Sequence, residues 1–593
     1  MKSIVLSLFF VLLVFGLCAE TIVPGGNISG VWTAAGSPYR IMGNVTVQTQ
    51  DMLVLEAGTL VQYEGTYQMQ VLGKIFSNGT ADDVVTFTAT DTLNGWSSIR
   101  FSNNSTLPAP HSGFSYTHFF YGRAVHGTSG QDPLNFGGAI WANNAGDLFF
   151  ENCLFSRCKS AQDGSAIYAQ ENSNVMMVNC TISNCESGFF GGVFVKNSSA
   201  NIENCTFKNN YAQTFGAALY FYQCPVAKVT SSSVSNNTAG AVAGIYSYAS
   251  PLKVVNSLFK GNSTITGLGG GIGIISGTLT VTNCTFADNS SPQGGGAIWM
   301  NIITAPANLT NNIFWNNTPL ALTASSSQYN LSHCSLQTAE GDATNIVGDP
   351  LFTNPADGDY TLSELSPCID AGTADITGLE LPLTDLAGMP RIVDGNSDSI
   401  ERIDIGCYEW QVPVQLGTIT GSVTDGQGQP LAGVAVTAGG YITVTDAAGN
   451  YTFILAPGTY TMTATLTGYY TQTVEGVEVT ANQTTFMYFV LDPVSASDPV
   501  IASPVLNLLN SPNPFMNQTE ISFNLSKAGT LRLEIYNTKG QKVKTLLMAD
   551  LKAGSHSISW NGTNDSGDLV SSGIYLMQME FGNQIQHRKL MKF

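Results

Sequence analysis

The chain has 593 residues, too many for one ordinary domain, and its 61 glycines and 11% charged residues describe a turn-rich β protein rather than a helical or disordered one. Its formal net charge of −19 argues against nucleic acid or an anionic membrane surface as partner.

Residues 1–19 read as a secretory signal peptide. Lys2 precedes an apolar run over 4–17, too short to span a bilayer comfortably, and Ala19 offers a small residue for cleavage. A lipid-modified Cys18 is the alternative, but the bulky Leu17 before it fits a lipobox poorly. No later stretch is long and apolar enough for a membrane helix. The expectation is a protein secreted to the outer cell surface, with no membrane span.

Residues 20–410 are expected to form one parallel β-helix. Over 20–110 the strands are loosely patterned (NVTVQTQDMLVLEAGTLVQYEG) and read as the first coils and their cap. Residues 111–134, with His111, His118, Arg123 and His126, read as a loop insertion. A repeat follows: NCTISNC at 179–185 aligns with six other segments, and the seven copies begin at Asn152, Asn179, Asn204, Ser231, Asn256, Asn283 and Asn311. A period near 26 with β-branched and aromatic residues signals a solenoid of β-coils.

Three apolar columns run through the repeat, each marking a strand with one face inward. One contains Phe150, Met177 and Ile202, the next Phe155, Ile182 and Phe207, and the third Ile140, Ile167, Phe194, Leu219, Ile245, Ile272 and Ile298. Three strands per coil are therefore expected. Asn152, Asn179, Asn204, Asn256, Asn283 and Asn311 stand at the turn between two of them, where asparagine tolerates a left-handed backbone and its amide can bond the next coil. They are expected to form a structural ladder. Cys153, Cys180, Cys205 and Cys284 share a small inward column, while Cys158 and Cys185 share one with Asn210, Asn237, Asn262, Asn289 and Asn317. Thiols packed as small core groups account for both columns. Export permits disulfides, but stacked parallel Cβ vectors suit a bridge badly, and no histidine accompanies the pairs as a metal site would require. No metal and no cofactor is expected.

The column after the third apolar one reads Trp141, Tyr168, Val195, Tyr220, Tyr246, Gly273, Trp299. Strand alternation turns it outward, beside small residues from Ala139 to Ala297, as a shallow groove along the axis. Aromatic faces stack on sugar rings, so Trp141, Tyr168, Tyr220, Tyr246 and Trp299 are the candidate ligand contacts, and a polysaccharide or cell-surface glycan the candidate partner. No catalytic residue is assigned. A lyase would need a carboxylate cluster for Ca²⁺ with a basic residue, and a glycosidase two carboxylates at set separation; acids are sparse over 137–317. Adhesion or polysaccharide recognition is the favoured reading. The alternative is a polysaccharide lyase or glycoside hydrolase with an atypical site.

The GGAI (137–140, 295–298) and F-x-x-N (207–210, 259–262, 286–289, 314–317) motifs resemble repeats of chlamydial polymorphic outer-membrane proteins and of exported right-handed, pectate-lyase-like β-helices. DPLFTNPADGDYTLSELSPCIDAG (349–372) and IDIGCYEW (403–410) look like the closing segment of such bacterial β-helices, expected to cap the end of the solenoid. At 417–493, short strands alternate with Gly, Pro and Asp turns, indicating a β-sandwich. This stretch resembles a carboxypeptidase regulatory-like, transthyretin-like domain, which implies a non-catalytic spacer. Residues 494–510 read as a linker. Residues 511–593, with SPNPF, a shortened D-x-x-G pair at Asp565 and Gly567, SGIY at 572–575 and a basic end, look like a type IX secretion C-terminal sorting domain related to the Ig-like domain of hook-capping proteins. The resemblance implies contact with secretion machinery, removal of the domain and attachment to surface polysaccharide, with Lys589 and Lys592 in the signal. The overall expectation is all-β: a right-handed parallel β-helix followed by two β-sandwiches.

Overall fold

The computed structural model describes residues 20–108, 112–325, 328–396, 398–412, 415–494 and 505–592, apart from 512, 514, 516–517, 538–541, 568, 571–572 and 583. The signal-peptide reading (1–19) and His111 lie outside the described residues. The chain divides into two compact units on either side of Pro413 and Val414.

The first unit is a parallel β-helix. One coil runs through Ile140–Asn143, Gly146–Glu151, Leu154–Ser156 and Lys159–Ser160, and each strand pairs in parallel with its counterpart one coil on. Stacking the coils gives sheets of 12, 12, 14 and 6 strands. The fourth sheet is absent from the sequence reading because its two-residue strands are too short to show alternation. Inward columns are fully buried, and phenylalanines stack coil on coil, Phe119 on Phe155 at 4.5 Å and Phe259 on Phe286 at 4.6 Å.

The turn asparagines have the expected left-handed backbone, with φ from 48° at Asn283 to 58° at Asn311. Their side chains do not form one ladder. Asn204 bonds Asn179 at 2.5 Å and Asn311 bonds Asn283 at 2.9 Å, but Ser231 interrupts the column and accepts from Asn256 at 3.0 Å. The continuous ladder is the other asparagine column. Each Nδ2 of Asn210, Asn237, Asn262 and Asn289 donates to the Oδ1 one coil on, at 2.8–3.0 Å, ending at Asn317. This column turns inward and is at most 6% exposed. Burial is why it must be continuous: an amide in the core has no water to fall back on. Cys185 extends the column, its N–H donating to Asn210 Oδ1 at 3.0 Å and its thiol to a carbonyl. All ten cysteines among the described residues are buried and unbridged.

Three further expectations are corrected. Residues 111–134 are not one loop insertion: Ser112–Ser115, Thr117–Phe120 and Arg123–Ala124 form the strands of a regular coil, and the loop is confined to the stretch after Ala124. Its turn residue is Tyr116 (φ 44°) in place of asparagine, so the coil lacks the repeat's signature. In the third coil of the repeat the register slips by one. Val193 pairs with Ile167, and Phe194 with Tyr168. The turn there is one residue shorter (Gly191–Gly192 against Gly164–Ser165–Ala166), and a one-residue shift exchanges the two faces of a strand.

The closing segment, third, does not cover only the end of the solenoid. It straps its flank. Phe352, Tyr360, Leu362, Cys368, Ile405 and Cys407 pack on outward side chains Leu258, Ala287 and Ile313. Asn283 Nδ2 donates to the carbonyls of Asp404 and Gly406, and Asn256 Nδ2 to that of Thr384. The strap therefore buries Asn256, Asn283 and Asn311, whereas Asn179 and Asn204 stay exposed. Its buried pin is Arg391, paired with Glu409 at 3.2 Å and bonded to Asn256 Oδ1.

The second unit contains two β-sandwiches with separate cores. In the first, Gly417–Asp425 and Asn450–Leu455 face Ala435–Ala438, Gly458–Thr465 and Gln472–Val479 around Val436, Phe453 and Met462. In the second, Thr519–Leu525 and Gly554–Trp560 face Gly529–Asn537, Gly573–Phe581 and Gln584–Lys592 around Ile521, Leu533 and Trp560. Val505–Ser511 pairs with Thr519–Leu525, so the end of the expected 494–510 linker is a strand of this sandwich. Lys589 and Lys592 lie on its last strand, Lys589 exposed and Lys592 half-buried. Among the described residues no helix is long and apolar enough to cross a membrane.

Candidate functional site

The outer face of the sheet containing Ile140–Asn143 carries the aromatic row, and the corrected register fills its gap: Trp141, Tyr168, Phe194, Tyr220 and Tyr246 are successive partners. Tyr168 stacks on Phe194 at 5.1 Å, Phe194 meets Tyr220 edge-on at 4.9 Å, and Tyr220 lies 4.8 Å from Tyr246. Arg100, one coil earlier, places its guanidinium 4.3 Å over Trp141 and donates to the Pro133 carbonyl. Burial lowers its pKa to about 10.

The row is not an open groove. Tyr168, Tyr220 and Tyr246 are only 5–7% exposed, and the small residues from Ala139 to Ala297 expected beside them are buried in the solenoid core. A second column lies over the row, formed by the residues before the turn glycines, Phe136, Asp163, Phe190 and Phe215, and by Val242 before Ala243. Backbone bonds fix its register, from Gly137 N–H to the Asp163 carbonyl, Gly164 to Phe190, Gly191 to Phe215 and Gly216 to Val242. Those glycines have φ of 63–70°, and at Gly137 and Gly164 a Cβ would meet a strand carbonyl at 2.2 and 2.4 Å, so only glycine lets the chain fold back here. Phe215 stacks on Tyr246 at 4.7 Å, and Phe190 meets Tyr220 edge-on at 5.1 Å.

In this covering column Asp163 replaces an apolar side chain, and there the cover opens. A cleft of about 510 Å³ lies between Phe136 and Phe190, with Trp141, Tyr168, Phe194 and Tyr220 in its lining. Gln131, Gln162, Gln170, Lys196 and Tyr222 add polar groups. Tyr168 donates to Gln170 Oε1 at 2.7 Å, and the Lys196 ammonium lies 5.8 Å from the Tyr222 ring. Asp163 is 9% exposed and its Oδ1 has no hydrogen-bond partner. Burial raises its pKa to about 7, against the pull of the Phe190 N–H and Lys196. Burial likewise raises the hydroxyl pKa values of Tyr168 and Tyr220.

Of the sequence candidates, Trp141, Tyr168 and Tyr220 line this cleft. Tyr246 lies under Phe215, and Trp299 lies beyond Gly273, outside the lining. Sequence reasoning missed Phe194 through the register slip, and Asp163 because the covering column was not aligned. Tyr222 and Tyr248, stacked at 5.1 Å on the next outward row, were also missed. Concave, mostly aromatic walls with a few polar groups suit a small hydroxylated ligand. The lining supplies one carboxyl, Asp163, where acid–base glycosidase chemistry uses a pair.

Residues 75–259 match the family model of the right-handed β-helix region, and residues 283–301 that of the Chlamydia polymorphic membrane protein repeat. Residues 418–492 match the carboxypeptidase regulatory-like domain, and residues 511–584 the FlgD Ig-like domain. Structural protein 27 of a virus (isolate Australia/Victoria) is 45% identical over 60 residues, which are 10% of this chain and 12% of the viral protein. Among solved structures, dimeric latent PorU from Porphyromonas gingivalis is 16% identical, covering 28% of this chain and 16% of that one, with a TM-score of 0.15. A DUF3823 family protein from Parabacteroides merdae is 15% identical, covering 30% of this chain and 100% of that one, with a TM-score of 0.13. The chain is thus a right-handed parallel β-helix protein that carries a carboxypeptidase regulatory-like domain and an FlgD Ig-like domain.

Proposed function

We propose that this chain is a secreted, cell-surface β-helix protein that recognises a polysaccharide or cell-surface glycan in the cleft between Phe136 and Phe190. The carrying observation is the aromatic-lined cleft that lies where Asp163 interrupts a column of covering apolar side chains. A pyranose ring stacks its apolar face on such rings, while the glutamine amides and Lys196 reach its hydroxyls. The polymorphic membrane protein repeat at 283–301 supports a place at the cell surface. The regulatory-like sandwich serves as a spacer. The last sandwich is handed to type IX secretion machinery, with Lys589 and Lys592 in the signal, and is removed on attachment.

A glycan array probed with the full chain tests recognition. Trp141→Ala and Tyr222→Ala each remove a lining ring and are expected to weaken binding at least tenfold; unchanged binding in both ends the reading. Mass spectrometry of the protein recovered from its cell surface tests sorting. Expected is a chain ending near residue 510 with a glycan attached, and an intact C-terminus refutes it.

A further inference from the structure

The cleft's polar groups narrow its ligand, and this step rests on the glycan reading above. Its lining carries one carboxyl and one ammonium, Asp163 and Lys196, with three glutamine amides. A polyuronate or a sulfated glycan brings an anion on successive sugars and calls for several cations; Lys196 alone lines the cleft, and the Arg100 guanidinium is spent on Trp141 and the Pro133 carbonyl. Asp163, moreover, stands where its neighbours in the column are Phe136, Phe190 and Phe215, and its Oδ1 is buried without a partner. A buried acceptor without a donor costs free energy until something donates to it.

We infer that the cleft selects an uncharged glycan, one sugar of which donates a hydroxyl or amide N–H to the Asp163 carboxyl, making Asp163 the specificity-determining residue.

This assignment has a pH signature. The groups that face Asp163 are Lys196, the Phe190 N–H, and the hydroxyls of Tyr168 and Tyr220. Both tyrosines stay protonated through neutrality because burial raises their pKa values, which leaves Asp163 as the group that titrates near neutral pH. A donated hydrogen bond favours the ionised carboxyl, so affinity rises as the pH climbs through 7.

The test is isothermal titration of the full chain with four probes: β-1,4-linked hexaoses of glucose, mannose and N-acetylglucosamine, and hexagalacturonate. Expected is binding of at least one neutral hexaose and none of hexagalacturonate. Asp163→Asn should bind that hexaose at least tenfold more weakly, and wild-type affinity should rise several-fold from pH 5.5 to 8.5. Preference for hexagalacturonate overturns the inference and leaves the glycan reading standing. An equal affinity in Asp163→Asn, or a flat wild-type pH profile, overturns the role of Asp163. No binding to any of the four probes overturns the inference, and the array above then decides the glycan reading separately. If Asp163→Asn melts early, the wild-type pH profile and Asp163→Ser carry the decision.

Discussion

Asn262→Ala should damage the solenoid far more than Asn179→Ala, although both remove an asparagine from a stacked column. The Asn262 amide donates to the Val234 carbonyl at 2.8 Å and to Asn289 Oδ1 at 2.8 Å. Its Oδ1 accepts from the Asn237 backbone N–H at 3.1 Å and from Asn237 Nδ2 at 2.9 Å. Alanine makes none of these bonds. Asn237 Nδ2 keeps the Phe207 carbonyl, and Asn289 Oδ1 keeps the Asn262 N–H. The Val234 carbonyl stays within the strand ladder, but the Asn237 N–H loses its partner inside a core that water does not reach. That one buried unsatisfied group costs about 1–3 kcal/mol, besides the amide bonds lost with the side chain. Asn179 is exposed, and its Oδ1 accepts one bond, from Asn204, so water replaces what alanine removes. What remains is the left-handed backbone at φ 55°, worth about 1 kcal/mol against alanine. Because a solenoid need not unfold in one step, native-state hydrogen exchange read coil by coil is the assay, with a thermal melt beside it. Equal losses of protection in the two variants would refute the claim that the inner ladder outweighs the outer one.

The strap gives two more predictions. Arg391→Met removes the bonds that Arg391 donates to Glu409, Asn256 Oδ1 and the Cys407 carbonyl inside the strap; limited proteolysis should then cut within residues 349–410 first, and an unaltered cleavage order would show that Arg391 does not pin the segment. Burial raises the pKa of Asp404 to about 7 and that of Glu409 to about 8. Both lie above the ordinary carboxylate range, so the folded strap binds more protons than the unfolded chain between about pH 4 and 8, and its stability falls as the pH rises through that window. Hydrogen exchange of the 349–410 amides should therefore show stronger protection, as an opening free energy, at pH 5.5 than at pH 8.5. The opposite order would mean that Arg391 holds both carboxyls ionised.

The solenoid was legible because one turn chemistry recurs. Asparagine at a left-handed corner, with an apolar residue two positions before and three after, is a pattern that a period near 26 exposes. Where a coil solves the same corner differently, as Tyr116 does, the signature vanishes although the coil remains. The slip at Val193 was invisible for another reason: Val193, Phe194 and Val195 are all apolar, so alternation gives no face, and only the shortened Gly191–Gly192 turn sets it. The strap has no period at all, being held by partners more than 100 residues away, such as Asn283 with Asp404. The cleft belongs to a class between these. Each of its aromatic rows was in the sequence, yet one row was taken for exposed because a strand's outer face was equated with solvent. In a solenoid the loop that closes each coil can return over that face, and here Phe136, Phe190, Phe215 and Val242 do so.

The cleft then turns on one side chain of the covering column. Phenylalanine at that place lies on the row beneath, as Phe215 does on Tyr246; at Asp163 the covering ring is missing, and the cleft lies there. The side chain that stands in for a covering ring also supplies an acceptor beside the row. An aspartate whose only role was to end a turn would be expected at the surface with its oxygens satisfied, not 9% exposed with Oδ1 unpartnered against aromatic rings. Losing the covering ring and providing the polar group are thus one event in the sequence, and that coincidence favours a ligand at Asp163 over an irregularity in the stack.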